Sequence, residues 1–546
     1  MDHLLGRIVR RARDDPDRVA VRFIENTSGK SSVLTWLELE RAAWAARAQF
    51  AARGLVPGDR ILLLLPTGPA YVASLLGSLW AGLVPATLPR PGGSQSKVDR
   101  EVADLIDVFA PHAVVGVECT AVGTEVIPAE GLGCPGPPVS GPRDFSALQD
   151  LCYVQFSSGS TARPRGLALT WAAIEANLDA IVAATGMGIR HQAVSWLPMY
   201  HDMGLFGSLL ACLYAGCEHT IMDPAVFVAN PLMWLRIMHE RRATITVAPP
   251  SALKSCLELL RRRPSTELDL SSLEQVICGS EPIPPSLTQA FGTGFGRYGA
   301  GVAALRPVYG LAEATLAVAF SPLGRAPRAD RIARAPFEKS GHAMPVSLAS
   351  REPAVAWVSA GKPLPGIELK VVGDDGQPVP ERRAGRIWVR SPSLYSAILE
   401  EGLFRKRSGQ WLDTGDTGYM AEGELYVTGR VKDLIIKNGR NYSPERLEEL
   451  AGLVNGVRRC AAIGVFDENR ATERIVLMIE VQPRHLACVE SRDRMRLSVR
   501  GELRAAGYPV DEVHLLAKGT LPLTTSGKVR RHQSRELYSS LHAPAA

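Results

Sequence analysis

Apolar residues in the first 320 positions follow two alternating rhythms. Leu, Trp and Ala recur at helical spacing over Thr35–Arg53, and Ala70–Ala81 is apolar throughout, so both stretches are predicted helices, the second buried. Between and after them stand short apolar runs bounded by turn residues: Arg60–Leu65, Ala113–Val117, Ala193–Leu197, Thr244–Ala248 and Gln275–Cys278. Runs of this length, without polar alternation, predict strands covered on both faces. Their alternation with helices predicts α/β layers with largely parallel strands. After residue 355 the texture changes to Gly- and Pro-punctuated strands such as Glu368–Val372 and Gly385–Val389, the mark of an antiparallel β section.

Residues 61–89 carry no charge, but Pro66, Gly68, Pro69, Gly82 and Pro85 interrupt them. Such a segment predicts a buried strand and helix and no membrane span. Met1–Arg13 is polar and basic without an apolar core, so no signal peptide is expected and the expected location is cytoplasmic. The nine cysteines show no C-x-x-C spacing, and several sit in apolar runs, which suits buried reduced thiols. His239-Glu240 begins like a zinc-protease motif, but Ala243 stands where its second histidine would fall.

With 546 residues the chain can bury an ample core, and a formal charge of +6 is far from that of a nucleic-acid binder. The charge is uneven. From residue 431 onward there are 19 Lys and Arg against 14 Asp and Glu, so most of the excess lies there.

The strongest local signal is SSGSTARPRG, Ser157–Gly166, directly after the predicted strand Leu151–Phe156. Consecutive Ser, Gly and Thr residues let backbone N–H groups and hydroxyls converge on phosphate oxygens, and Arg163 and Arg165 suit a polyphosphate. It is not a Walker A loop, because Pro164 falls where the second glycine belongs. The alternative for this segment alone is a plain Ser/Gly surface turn.

This loop resembles the phosphate-binding loop of the adenylate-forming superfamily, and further segments follow in that family's order. SWLPMYHDMGL (Ser195–Leu205) resembles its acyl-site gate, GSEPI (Gly279–Ile283) its adenine-side strand end, and VYGLAEA (Val308–Ala314) its aromatic-glycine-acid motif. TGD (Thr414–Asp416), GRVKDLIIKNGRN (Gly429–Asn441) and TTSGKVRR (Thr524–Arg531) complete the series. The gate sequence, Ser280-Glu281-Pro282, the GRN-Tyr-Ser-Pro run and the extra segment 321–358 resemble the fatty acyl-AMP ligase branch. In that branch such an insertion hinders the domain movement needed to form a CoA thioester. Read alone, 321–358 is an Ala/Pro/Arg-rich loop.

The resemblance implies an α/β enzyme with a large N-terminal body, residues 1–430, of layered α/β subdomains plus a β section. A small mobile α+β lid, residues 431–546, completes it. It also implies ATP and Mg²⁺ as cofactors, a fatty or related carboxylic acid as substrate, and an acyl carrier protein as partner. Ser157, Ser158, Gly159, Ser160 and Thr161 would hold phosphates, with Thr161 and Glu313 at the metal. Gly279, Ser280, Glu281 and Pro282 would border the adenine, Tyr309 would stack on it, and Gly310, Leu311 and Ala312 would allow close approach. Asp416 and Arg430 would reach the ribose, and His201 would close the acyl pocket; a neutral histidine satisfied by a backbone carbonyl is its alternative. Lys432 would be the hinge, and Lys528 the cation bridging substrate carboxylate and α-phosphate. Ala162 and Arg165 depart from the Gly and Lys of many members. Two other readings are an acyl- or aryl-CoA synthetase and a non-catalytic binding protein descended from the fold. Retention of Thr161, Glu313, Asp416, Arg430 and Lys528 together speaks against the last.

Overall fold

The computed structural model describes residues 3–88, 103, 105–116, 125–137, 145–146, 148, 150–157, 165–468, 470, 472–523 and 528–542. The phosphate-loop residues Ser158, Gly159, Ser160 and Thr161 lie outside them. The chain divides into two compact units. The first comprises Met1–Arg328, Ala360–Glu368 and Arg390–Leu412, and the second Ala329–Ser359, Leu369–Val389 and Asp413–Ala546.

The first unit is built on a nine-stranded sheet. Its central strands run parallel in the order Leu305–Gly310, Gln275–Cys278, Ile245–Ala248, Gln192–Ser195, Glu218–Met222 and Val19–Ile24. Antiparallel strands close both edges: Ser31–Thr35 on one side, Ala317–Phe320 and Lys362–Pro363 on the other. A four-stranded parallel sheet holds Arg60–Leu64 between Val84–Thr87 and Ala113–Gly116, with Glu125–Ile127 outermost. The charge-free segment thus folds as the strand Arg60–Leu64 and the buried helix Pro69–Trp80. Among the described residues no helix is long and apolar enough to cross a membrane. A third, antiparallel sheet pairs Leu151–Ser157 with Arg165–Thr170, and these with Ala397–Glu400 and Leu403–Lys406. The loop predicted to bind phosphate connects the first two of those strands.

Arg306 opens the strand that carries Tyr309 and is 2% exposed. It donates to the carbonyls of Ser321 and Ala184 and to the side-chain oxygen of Gln275, which satisfies a guanidinium that burial pushes down to about 10. That cluster fixes the strand against both neighbours.

In the second unit a sheet in the order Glu368–Val372, Gly385–Arg390, Leu412–Ala421, Glu424–Arg430 is the β section expected from the sequence. A three-stranded sheet, Val457–Asp467, Thr472–Val481 and Glu512–Leu516, packs with the helices Pro444–Ala451 and Val489–Ala505 around Leu447, Leu477, Ile479 and Val499. The segment 321–358 is not a plain loop. It contains the antiparallel strands Ala329–Ala333 and Ala354–Val358 and the helix Arg334–Ser340.

The expected division at residue 430 does not coincide with the units, because the second begins well before it. The reason is packing: Ile332, Ala343 and Val355 share a core with Tyr419, Ala421 and Tyr426. Arg334 donates to the Ala506 carbonyl and stands 5.0 Å over the Tyr508 ring. Segments far apart in sequence therefore close one core.

Candidate active site

The candidate residues fall into two groups, one in each unit. In the first unit, the segment WLPMYHDMGL leaves the strand Gln192–Ser195 and becomes helical at Asp202. His201 caps that start, with Nδ1 2.6 Å from Asp202 Oδ1. The Met203 N–H donates to both side chains, to His201 Nδ1 at 3.4 Å and to Asp202 Oδ1 at 2.7 Å, so the histidine and its carboxylate neighbour cap the turn together. A π-helical stretch, Leu205–Leu210, follows at once, an irregularity often found at functional sites. The Gln155 amide donates to the Tyr200 carbonyl at 3.2 Å, tying the gate to the strand that leads into the phosphate loop. Arg165 faces Glu400 at 3.5 Å, so a carboxylate shares its charge.

Gly279 follows the strand Gln275–Cys278 where a Cβ would lie 2.7 Å from a Val308 methyl, and Ser280 takes φ 73. The Gly279–Pro282 turn is therefore held close to the strand bearing Tyr309. Glu281 is engaged elsewhere: it accepts from the Ser251 backbone N–H (3.0 Å) and hydroxyl (2.9 Å) at the start of the helix Pro250–Arg262. That contact makes it an anchor for the turn.

Tyr309 is 9% exposed, and the strand kinks after it, where the register shifts between Tyr309 and Gly310. A Cβ on Gly310 would meet the Leu316 carbonyl oxygen at 2.0 Å, so only glycine allows this crossing. Leu311 accordingly donates to that oxygen at 2.8 Å. Glu313 lies in a single 3₁₀ turn, Ala312–Ala314. Next comes a feature sequence reading missed. Thr315 has φ 64 and ψ −57, and the Leu316 N–H donates to the Ala314 carbonyl at 2.7 Å, a γ-turn that a β-branched residue adopts only under strain. The Thr315 hydroxyl donates to the Ser393 carbonyl at 2.8 Å, and Tyr395 N–H to the Glu313 carbonyl at 3.0 Å. Asn177 bonds both the N–H and the carbonyl of Ala317. Segment 391–395 and Asn177 thus clamp the turn bearing Glu313, and Leu316 packs where Gly207 of the gate helix leaves room.

In the second unit, Asp416 and Arg430 are direct partners across two antiparallel strands, with Arg430 Nε 3.0 Å from Asp416 Oδ1. Lys432 lies in the following 3₁₀ turn, Val431–Asp433. Lys528 precedes Val529, which bridges Leu523, and the Arg530 N–H donates to the Pro522 carbonyl at 2.9 Å; Thr524–Gly527 of the same motif lie outside the described residues. Beyond it, Arg531 enters a buried ion cluster that the sequence did not announce. It contacts Asp433 at 2.9 Å, Glu445 at 3.0 Å and Glu448 at 2.8 Å. Burial opposes its charge, but these carboxylates hold its guanidinium above the usual arginine range. Burial, and then Glu445, pushes the Glu448 carboxyl up to about 7.

For a divalent cation the described residues offer oxygen donors of the Glu313 type. None of them form a group of three or more His, Cys, Asp or Glu able to hold an ion. One carboxylate, with phosphate oxygens as remaining ligands, fits Mg²⁺ and does not fit a zinc site.

An α/β body carrying the clamped Glu313 turn, and a carboxylate–arginine pair in the second unit, suit an adenylate-forming class of enzyme. The family described as AMP-binding enzyme matches residues 8–399, and the chain belongs to it. The long-chain-fatty-acid–AMP ligase FadD23 of Mycobacterium tuberculosis is 31% identical over 96% of this chain and 94% of its own. A putative acyl-CoA synthetase of Caulobacter vibrioides is 33% identical over 92% and 90%. Among solved structures, one from a study of fatty acyl-adenylate ligases of E. coli and L. pneumophila superposes with TM-score 0.88. It is 28% identical and covers 100% of this chain and 99% of that one. Within the family the chain most resembles the fatty acyl-AMP ligases.

Proposed function

We propose that the protein activates a fatty or related carboxylic acid with ATP, forming acyl-AMP and pyrophosphate. In a second step it passes the acyl group to the phosphopantetheine thiol of an acyl carrier protein. The observation that carries this reading is joint retention of Thr161, Glu313, Asp416, Arg430 and Lys528 in a chain that matches a long-chain-fatty-acid–AMP ligase nearly end to end.

Adenylation requires the carboxylate oxygen to approach the α-phosphorus in line with the departing pyrophosphate while negative charge gathers there. In this reading Ser157–Thr161 hold the β- and γ-phosphates, and Glu313 on its clamped turn, with Thr161, holds Mg²⁺, which neutralises phosphate charge when bound. Tyr309 stacks on adenine beside Gly279, Ser280 and Pro282, and Asp416 with Arg430 takes the ribose hydroxyls. His201, its ring fixed by Asp202, closes the acyl site. Lys528 supplies a point charge between carboxylate and α-phosphate. Thiol attack on the acyl carbonyl then releases AMP, a step that does not use that cation.

In this reading residues 431–546 move as a lid about Lys432. The hold of Arg334 on residues 506–508 supports an insertion that restrains such movement and so disfavours CoA as acceptor. The Caulobacter relative's name keeps a CoA synthetase as the second reading. The net positive charge of residues 431–546, 19 Lys and Arg against 14 Asp and Glu, suits an acidic carrier. The test is a panel of carboxylic acids assayed for pyrophosphate release, then chased with CoA or with holo acyl carrier protein. Release with medium or long fatty acids and AMP release only with the carrier are expected; efficient acyl-CoA formation would overturn the carrier assignment.

A further inference from the structure

We propose that Arg531 is a positioning residue for adenylate formation, binding residues 528–531 to the turn Val431–Asp433 through Asp433. The inference deepens the reading above and rests on the role given there to Lys528.

Lys528 directly precedes Val529, which bridges to Leu523. Arg531, three residues on, opens the helix Arg531–His542. Its side chain is 13% exposed, and its three nitrogens are all engaged. Nη1 reaches Asp433 and Glu445, Nη2 reaches Glu448 at 2.8 Å, and Nε reaches Glu448 at 3.2 Å. Asp433 belongs to the turn that contains Lys432, whereas Glu445 and Glu448 sit one helical turn apart on Pro444–Ala451. A single planar fork therefore joins the start of the last helix to two other elements, one of them the hinge turn.

The fork is not what packs the last helix. Tyr538 and Leu537 hold that helix against Ala461, Ile463, Val476 and Met478, and Val529 joins the same cluster. A buried ion cluster contributes little net stability compared with apolar groups of its size, but it is strongly directional. Its effect falls on residues 528–531 and 433, the two places where the proposed chemistry needs the lid to be exact to within an ångström. With Arg531 bound to Asp433, residues 528–531 follow the turn of Lys432 as one body. Without that link the cation keeps its charge and loses its aim.

The test is a double-mutant cycle of Arg531→Lys and Lys528→Ala in the full chain, assayed by pyrophosphate release with dodecanoate and MgATP. Arg531→Lys keeps the charge but not the fork. It should lower kcat about tenfold or more while both KM values stay within about threefold. In the Lys528→Ala background the same change should alter kcat by less than about twofold, since a residue that acts through Lys528 has nothing left to aim. Equal losses in both backgrounds, a parallel rise of KM, or full activity of Arg531→Lys beside an impaired Lys528→Ala would overturn the proposal alone. Full activity of Lys528→Ala would overturn the role of Lys528 and the proposal with it. Should Arg531→Lys fail to fold, Asp433→Asn takes its place: it removes only the hinge link, leaves Glu445 and Glu448 on Arg531, and faces the same two criteria.

Discussion

Glu448 offers a perturbation whose size follows from the structure. Three carboxylates share one guanidinium in the Arg531 cluster, so full ionisation leaves a buried excess of negative charge. Burial and Glu445 raise the Glu448 carboxyl from 4.5 to about 7 in the folded chain. Between those values the folded state holds a proton that the unfolded chain has released. The stability this group contributes is therefore fully present below 4.5 and is lost as pH rises through 7. From pH 5 to pH 8 the loss is about 2.5 kcal/mol, or about 70-fold in an opening equilibrium. Glu448→Gln removes the titration. It also costs one acceptor for Arg531 at every pH, so the pH slope is informative and the absolute stability is not. Ala462 donates its N–H to Glu448 at 2.9 Å, which makes the strand Val457–Asp467 the natural reporter. Hydrogen exchange of a peptide spanning that strand, corrected for intrinsic rates, should show protection that falls with pH in the parent more steeply than in the variant, by about that factor. An unchanged slope in Glu448→Gln would refute the assignment of this proton.

Three other outcomes follow. Lys528→Ala should cut pyrophosphate release on the order of 100-fold while leaving the thermal transition in place, and normal release would remove this lysine from the chemistry. Thr315→Val keeps the branched shape of the γ-turn but leaves the Ser393 carbonyl without its hydroxyl donor, a loss of about 1–3 kcal/mol at the clamp. It should raise the Mg²⁺ concentration needed for half-maximal adenylation several-fold, and an unaltered Mg²⁺ titration would show that the clamp does not orient Glu313. Transfer to an acidic holo carrier should slow as ionic strength rises, because the excess positive charge is concentrated after residue 431; salt-insensitive transfer would count against steering.

What the sequence made legible and what it hid divide on physical grounds. Strands buried on both faces must be short and apolar, so Gln275–Cys278 and Arg60–Leu64 stood out between turn residues. Gly310 was expected to allow close approach to adenine, whereas the neighbour that demands a residue without a Cβ, the Leu316 oxygen, comes from a crossing that no local pattern shows. Asp416 and Arg430, 14 positions apart, became a pair only through the hairpin register. The second unit was illegible because it is assembled from three stretches of chain, and no local pattern announces that Arg334 meets residues 506–508.

The Arg531 cluster was hidden for a different reason. Lys-Val-Arg-Arg-His in a basic tail reads as a solvated run, and Glu445 and Glu448 read as ordinary helix-surface acids. One signal could have separated them. On Pro444–Ala451 both glutamates share a face, three residues apart, next to the buried Leu447 and Ala451. Acids flanking an apolar face need a cation when that face is covered, and one of the arginines that follow Lys528 is a natural supplier. The same logic links position to chemistry across the lid. In the proposed adenylation the Lys528 cation is useful only if it arrives at one place, and its charge by itself cannot ensure that. A rigid, multiply bonded guanidinium on the far side of Lys528 can, and it does so through the segment about which the lid is proposed to turn. Hinge, lysine and ion cluster then form one device, in which the residue that carries the charge and the residue that aims it are separated by two positions.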